Sequence, residues 1–300
     1  MQKFGIPDKK KIRVILDTDA KNEVDDQFAV VQALLSESFD MRGIVAAHFG
    51  AEKSAHSMQD SFDEIKKILS LMEIDALVFH GAEHELKDEK TPIESEGARL
   101  IIEEAMKDDD RPLYVASLGA ITDIASALLL KPEIAQKNLT VIWIGGRDWP
   151  SGGWEYNLKN DVVAANVVFK SAVPLWQVPR NVYRMLSVSF AELQTRVHPH
   201  GKIGAYLAEN VFSFNNAEVS RPAEYRILGD SPAVGLMLYP DCGEWEYKPA
   251  PEFDKNLHYV HNGLHRPIRV YKNIDPRFIL EDLYAKLALF SEETKKCDTM

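Results

Sequence analysis

Five acidic side chains, Asp17, Asp19, Glu23, Asp25 and Asp26, fall within ten positions of the chain. Carboxylates this close repel one another, and the repulsion grows as the local dielectric falls. A hard divalent cation held through oxygen ligands is the simplest chemistry that relieves it. One or two acids here would read as a solvated turn capping a helix. Asp-x-Asp followed by Asp-Asp, set between an apolar run and a helical pattern, reads instead as a metal-binding turn, since clustered charge of this kind points to function.

The elements on either side must position these acids. Residues 11–16 read as a buried strand, because Ile12, Val14, Ile15 and Leu16 are aliphatic and largely branched, and the acids begin where it ends. Val24, Phe28, Val31 and Leu35 then recur at helical spacing, with Asn22 in the N-cap place and Asp25 three residues on. The acids therefore lie on a strand-to-helix turn, the place where open parallel sheets bind ligands. A helix N-terminus contributes only about 0.3 to 1 kcal/mol per charge, too little to offset five acids. Asp25 and Asp26, roughly 100° apart on a helix, point in different directions, so one can face a metal and the other a substrate.

Further along, strand-like runs at 12–17, 42–48, 76–80, 112–118, 139–145 and 173–178 alternate with helical stretches near 24–37, 54–73, 94–107, 120–130 and 160–171. That alternation predicts an α/β fold with a mainly parallel, doubly wound central sheet and helices on both faces. Beyond residue 180 come helical stretches around 189–197, 202–214 and 231–239, an irregular Pro- and aromatic-rich segment, and a last helix near 279–290. No internal repeat is present, and we expect a single domain over 1–300.

Charge narrows the partners. A formal net charge of −11 argues against nucleic acid or an acidic membrane, and Lys9-Lys10-Lys11 is the longest basic run. The substrate is expected to be a small molecule rather than a polyanion. Cys242 and Cys297 fit no zinc or redox spacing, and both read as free thiols. The N-terminal residues show no apolar leader, and no stretch approaches the ~20 apolar residues of a membrane span, so the expected location is cytoplasmic.

Three other segments could carry chemistry. The run from Leu113 to Asp123 is an apolar strand entering a glycine-containing turn, and a backbone carbonyl there suits a hard cation that needs six to eight oxygens. Taken alone it is an ordinary strand-to-helix turn. After Ile144 comes a loop rich in glycine and aromatics, in which Glu155, Asn157 and Asp161 lie near Trp149 and Trp154. That composition suits a hydroxyl-rich ring held by polar groups and stacked on an aromatic face, although tryptophans covering a core edge would look the same. Asp230 sits where a new helix begins and on its own would be an N-cap. None of the nine histidines gives a zinc pattern.

Together these segments resemble the inosine-uridine-preferring nucleoside hydrolase family, from about Ile12 to the last helix. The most specific element is the aspartate cluster, which in that family reads Asp-x-Asp-x-x-x-Asp-Asp and here is carried by Asp17, Asp19, Asp25 and Asp26. The turn from Leu118 to Asp123, the Glu155-Tyr156-Asn157 triplet with Asp161 after it, and Asp230 follow in the family's order. The resemblance implies a Ca2+ ion held by the carboxylates of Asp19, Asp26 and Asp230 and the main-chain carbonyl of Leu118. It implies Asp25 on the ribose hydroxyls, Glu155 and Asn157 on the sugar from the other side, and Asp17 supporting the cluster from behind. The implied reaction is hydrolysis of an N-glycosidic bond of a ribonucleoside or related N-riboside: a calcium-activated water gives its proton to Asp19 and attacks the anomeric carbon with inversion. A homodimer or homotetramer is the implied assembly.

Two departures stand out. The cluster has two additional residues between Asp19 and Asp25, and the histidine that precedes the late aspartate in many members, where it helps protonate the departing base, is Gly229 here. Phe49-Gly50-Ala51 also replaces an asparagine frequent in the family. The metal and ribose half of the site is present in the sequence; the base half is not. Two rival readings follow. One is an idle ribose- or nucleoside-binding protein that lost base activation. The other is a haloacid-dehalogenase-type phosphatase, with Asp17 as nucleophile, Ser117 assisting and Gly229-Asp230 as its late acidic motif.

Overall fold

A computed structural model describes residues 4–218 and 223–297. The branched aliphatic run forms strand β1 (Ile12–Thr18), buried from Arg13 to Thr18. Side chains alternate across a strand, so Val14 and Leu16 enter one apolar cluster while Ile15 enters the other. Strands β2 (Phe39–Ala46) and β3 (Val78–His80) extend the sheet on one side of β1; β4 (Leu113–Ser117), β5 (Leu139–Ile144) and β6 (Leu175–Val178) extend it on the other. Two short strands, β7 (Ser187–Ser189) and β8 (Tyr225–Ile227), pair as a separate antiparallel ribbon. Strand β9 (Trp245–Pro249) is followed by a second ribbon, β10 (Glu252–Phe253) with β11 (Tyr259–Val260), and then by β12 (Pro267–Tyr271). The main sheet has eight strands in the order β3-β2-β1-β4-β5-β6-β12-β9, parallel throughout except that β9 runs antiparallel to β12.

Helices cover both faces. On the Leu16 face lie α1 (Asp26–Leu34) and α2 (Ser57–Met72), with Phe28 and Ile65 in the shared core. On the Ile15 face lie α3 (Glu96–Met106) and α4 (Thr122–Leu130), joined after a short α5 (Tyr156–Asn160) by α6 (Val162–Lys170). Short helices α7 (Arg180–Tyr183) and α8 (Phe190–Glu192) follow, and then α9 (Gly201–Glu218), α10 (Ser231–Leu238) and α11 (Pro276–Cys297) return to the Leu16 face. The fold is thus the doubly wound α/β arrangement expected from the sequence.

The strand order reverses between β1 and β4. The chain leaves β1 into α1 on one face and β4 into α4 on the other. The loops diverge, and a crevice opens outside the carboxyl ends of the two strands.

Several expected boundaries shift. Helix α1 starts at Asp26 with Asp25 in the N-cap position, so Asn22 is not the cap. The helix expected over 160–171 is α6, which Asp161 caps by accepting from Ala164 N at 2.8 Å; the short α5 before it was not expected. The 189–197 stretch is α8 followed by a π turn over Leu193–Val197. The segment taken as irregular holds β9 to β12, and two of these complete the sheet. Its strands are two to five residues long and only partly buried, which erases the apolar alternation that marks a strand. Among the described residues no helix is long and apolar enough to cross a membrane. Cys242 is a buried free thiol; the side chain of Cys297 lies outside the described residues.

Helix α3 packs on β2 through Gly97, where an added Cβ would stand 2.3 Å from Val45 Cγ1 and 3.0 Å from Asp123 Oδ1. Overpacking of this kind costs about 1 to 3 kcal/mol. Gly97→Ala should lower the unfolding free energy by that amount in urea titrations, and an unchanged midpoint would show that the helix can move away freely.

Candidate active site

The acidic turn lies at the crevice. Thr18, on the α1 face of β1, donates to Asp26 Oδ1 at 2.5 Å and ties the strand to the first turn of the helix. Asp25 makes no capping bond with its own helix; its Oδ2 accepts from Gly229 N at 2.9 Å, which joins the turn to the segment before α10. Asp230, in the N-cap position of α10, is thereby carried into the same space. Carboxylate oxygens of Asp25, Asp26 and Asp230 all lie within 4.8 Å of one another. Asp19 is buried beside them against Gly119, where a Cβ would stand 2.6 Å from its Oδ1. Asn22 closes the lengthened turn: its backbone N donates to Asp19 O at 2.8 Å and its Nδ2 to Asp19 Oδ2 at 3.1 Å.

Arg226 offsets only part of the negative charge here. Burial, and then the neighbouring Asp26, push Asp25 up to about 7. Burial lifts Asp26 to about 6 against the opposing hydrogen bonds from Thr18 and Asp230. Asp19 and Asp230 stand well above the ordinary carboxylate range through burial and then through one another's neighbours, Asp26 and Asp25 respectively. Four carboxylates whose ionisation is opposed first by burial and then by one another, with only oxygen donors among them, fit a hard divalent cation. Leu118 also lines this cavity, of about 90 Å³. The sequence reading separated Asp25 from the ligands; in the structure its carboxylate belongs to the same tight group as Asp26 and Asp230, with Asp19 alongside.

The opposite wall is built by α5. Glu155 caps that helix, its Oε2 accepting from Gly146 N and Leu158 N, both at 2.9 Å. Its Oε1 accepts from Asn157 N at 3.2 Å and from the Tyr183 hydroxyl at 3.1 Å. Asn157 Nδ2 donates to Leu118 O at 2.6 Å and Ile144 O at 2.8 Å, so its amide is pinned between the ends of β4 and β5. Among the described residues its Oδ1 has no hydrogen-bond partner, and Asn157 lines the same cavity.

Three expected site residues lie elsewhere. Asp17 points to the other face of β1, as strand alternation requires. It is fully buried, neither oxygen has a hydrogen-bond partner among the described residues, and burial and then Asp123 raise its pKa well above the usual range. A carboxyl so enclosed cannot attack a phosphoester, which removes the phosphatase reading. Asp161, expected at the substrate, is a structural acceptor: besides capping α6 it takes hydrogen bonds from Leu86 N at 2.9 Å and the Thr122 hydroxyl at 2.8 Å. Trp149, expected to stack on the substrate, donates to Gln177 Oε1 at 3.0 Å, packs against Tyr259, and lines a separate cavity. In its place Tyr156 and Tyr183 face the site. Tyr183 was missed, although its position just after β6, at a strand carboxyl end, is the signal that would have found it.

A sequence model of the inosine-uridine preferring nucleoside hydrolases matches residues 14–272. The probable uridine nucleosidase 2 of Arabidopsis thaliana is 26% identical over 238 residues, which cover 69% of this chain and 70% of that protein. A pyrimidine-specific ribonucleoside hydrolase of Salmonella paratyphi A is 26% identical over 98 residues, 31% of each chain. Among solved structures, a purine-preferring ribonucleoside hydrolase from Gardnerella vaginalis superposes with a TM-score of 0.76 at 19% identity, covering 93% of this chain and 99% of its own. A plant nucleoside hydrolase gives 0.75 at 17% identity, covering 92% and 99%. At these identities the superpositions speak for the fold.

Raised carboxyl pKa values mean that the folded protein keeps protons the unfolded chain has already released. Without metal, stability should therefore fall as pH rises from the ordinary carboxylate range through about 6, where Asp26, Asp123 and Asp161 lie, and about 7, where Asp25 lies, with Asp17, Asp19 and Asp230, all raised well above that range, adding to the fall. A cation binds the ionised carboxylates, so its stabilisation should grow over the same range. Melting curves with chelator and with calcium should diverge by several degrees more at about pH 7.5 than at about pH 5. An equal calcium shift at both pH values would remove these carboxylates as its site.

Proposed function

Because the chain belongs to the inosine-uridine preferring nucleoside hydrolase family, and is thus a hydrolase of N-glycosyl bonds, we propose that it cleaves a ribonucleoside or related N-riboside to ribose and free base, with Ca2+ as cofactor and inversion at the anomeric carbon. The observation that carries this reading is the group of buried Asp26 and Asp230 with half-buried Asp25, flanked by Asp19 and sharing one cavity with Asn157, whose Oδ1 is unengaged. The proposed ligands are the carboxylates of Asp19, Asp26 and Asp230 and the carbonyl of Leu118. When bound, the cation supplies Lewis acidity toward a water and toward vicinal ribose hydroxyls.

The remaining roles fall to side chains. Asp19, held in place by Asn22 and by the close backbone at Gly119, takes the proton of the attacking water. Asp25 accepts from a ribose hydroxyl, and Asn157 Oδ1 accepts from another across the cavity. Glu155 has roughly four acceptor sites, and all are occupied in the structure, so it acts as a rigid post for Asn157 and Tyr183. The sugar passes through an oxocarbenium-like state, and the surrounding carboxylates favour its developing positive charge. A second reading, an idle ribose binder, is favoured by Gly229, which offers the leaving group no acid.

Loss of a general base lowers turnover by about 10²- to 10⁴-fold. Asp19→Asn should reduce ribose release from a calcium-loaded ribonucleoside assay within that range, and chelation should abolish it. The first sugar anomer seen by NMR from a β-riboside should be the α form. Undiminished turnover in Asp19→Asn would exclude it as the base, and ribose binding without turnover in the unaltered protein would select the idle binder.

A further inference from the structure

Outside the carboxylate cavity, and sharing Glu23, Asp25, Tyr156 and Tyr183 with it, lies a chamber of about 310 Å³. Its chemistry differs from that of the floor beneath. Three arginines line it: Arg180, Arg184 and Arg226. Arg226 is already engaged, paired with Glu23 and lying over the Phe214 ring at 4.7 Å. Arg180 and Arg184 have no carboxylate partner among the described residues. They stand four residues apart on and just after α7, so both guanidinium groups project from one side of it. Like charges at that spacing repel by a few tenths of a kcal/mol, and an anion between them removes the repulsion.

The rim is aromatic. Trp154 and Tyr225 are 54% and 52% exposed there, large flat surfaces with little to cover them. No histidine, lysine or cysteine lines the chamber among the described residues. Gly229 cannot be read as a vacancy awaiting a histidine either. A Cβ there would stand 3.1 Å from the Tyr183 ring and 3.2 Å from Asp25 Oδ2, and Tyr183 fills that ground while its hydroxyl is committed to Glu155.

We propose that this chamber is the leaving-group subsite and that it selects ribosides whose aromatic heterocyclic aglycone is negatively charged as it departs, held by Arg180 and Arg184 and stacked on the aromatic rim. The assignment rests on the hydrolase reading above. In the step it describes, water's hydroxyl bonds to the anomeric carbon and its proton passes to Asp19. The carbon–nitrogen bond breaks with its electron pair going to the aglycone nitrogen. No proton is delivered to the aglycone. The negative charge can arise at an acidic ring nitrogen or from a ring carboxylate, and Arg guanidinium groups serve both.

The test compares calcium-loaded enzyme on p-nitrophenyl riboside, neutral nucleosides, ribosides of heterocycles with graded ring-nitrogen acidity, and ribosides whose aglycone bears a carboxylate. Preference for charged over neutral aglycones, read as the ratio of kcat/KM values so that any loss of folded enzyme cancels, should fall about tenfold or more in Arg180→Gln/Arg184→Gln. It should stay within about threefold in Arg180→Lys/Arg184→Lys. Dependence on ring-nitrogen acidity or on the carboxylate tells the two sources apart. Calorimetric binding of the free heteroaromatic carboxylate should weaken in parallel with the Gln variant. An unchanged ratio and unchanged binding would overturn this assignment while leaving the hydrolase intact. Failure to cleave any riboside, the nitrophenyl compound included, would overturn the hydrolase reading and this assignment with it.

Discussion

Four carboxylates that cannot all be ionised in one buried space set the terms for the rest of this molecule. Asp19, Asp25, Asp26 and Asp230 come from two segments more than two hundred residues apart, and each alone would be an ordinary turn or cap. Their convergence needs β1 at the centre of the sheet, α1 starting at Asp26, and α10 delivering its N-terminus to the same crevice. The backbone bond from Gly229 N to Asp25 joins the two segments directly. The apolar core on both faces of the sheet is what holds such a group together with so little counter-charge.

Strand alternation then divides the acids by role. Thr18 and the turn after it serve the Leu16 face and the crevice, whereas Asp17 is turned into the Ile15 face with Asp123. Asp123 accepts from Ala82 N at 3.1 Å and from the Ser95 hydroxyl, and Asp161 from Leu86 N, so two buried carboxylates anchor the loop around residues 82–86 to the body of the sheet. These groups are polar, buried and perturbed, the properties that single out catalytic residues. Their satisfied backbone donors mark them as structural. Perturbation separates function from architecture only when joined to geometry.

What could be read from the sequence follows the same physics. The aspartate cluster was legible because a β-branched run, a helical period and like charge at short spacing are all local. The doubly wound alternation through residue 178 was legible for the same reason. Trp149 and Asp161 were misplaced because a glycine-rich loop carries no period: nothing in the sequence says that Trp149 turns toward Gln177 while Tyr156 turns inward, or that Asp161 restarts a helix. Strands β9 to β12 escaped notice since their burial comes from distant partners rather than from their own pattern.

The pairing of Gly229 with Tyr183 could be seen only in three dimensions. From the sequence, glycine before the late aspartate reads as a deletion, a protein that kept its sugar site and lost its acid. In the structure the ring of Tyr183 occupies that ground, burial and then Glu155 hold its phenol well above the usual range, and its hydroxyl braces the wall that positions Asn157. A tyrosine so held is a poor proton donor. The same short helix that supplies it also carries Arg180, with Arg184 just beyond its end, toward the chamber above. The lack of an acid at Gly229 and the presence of two guanidinium groups at the chamber therefore meet around one short helix. A site that cannot protonate a departing base can still stabilise one that leaves as an anion.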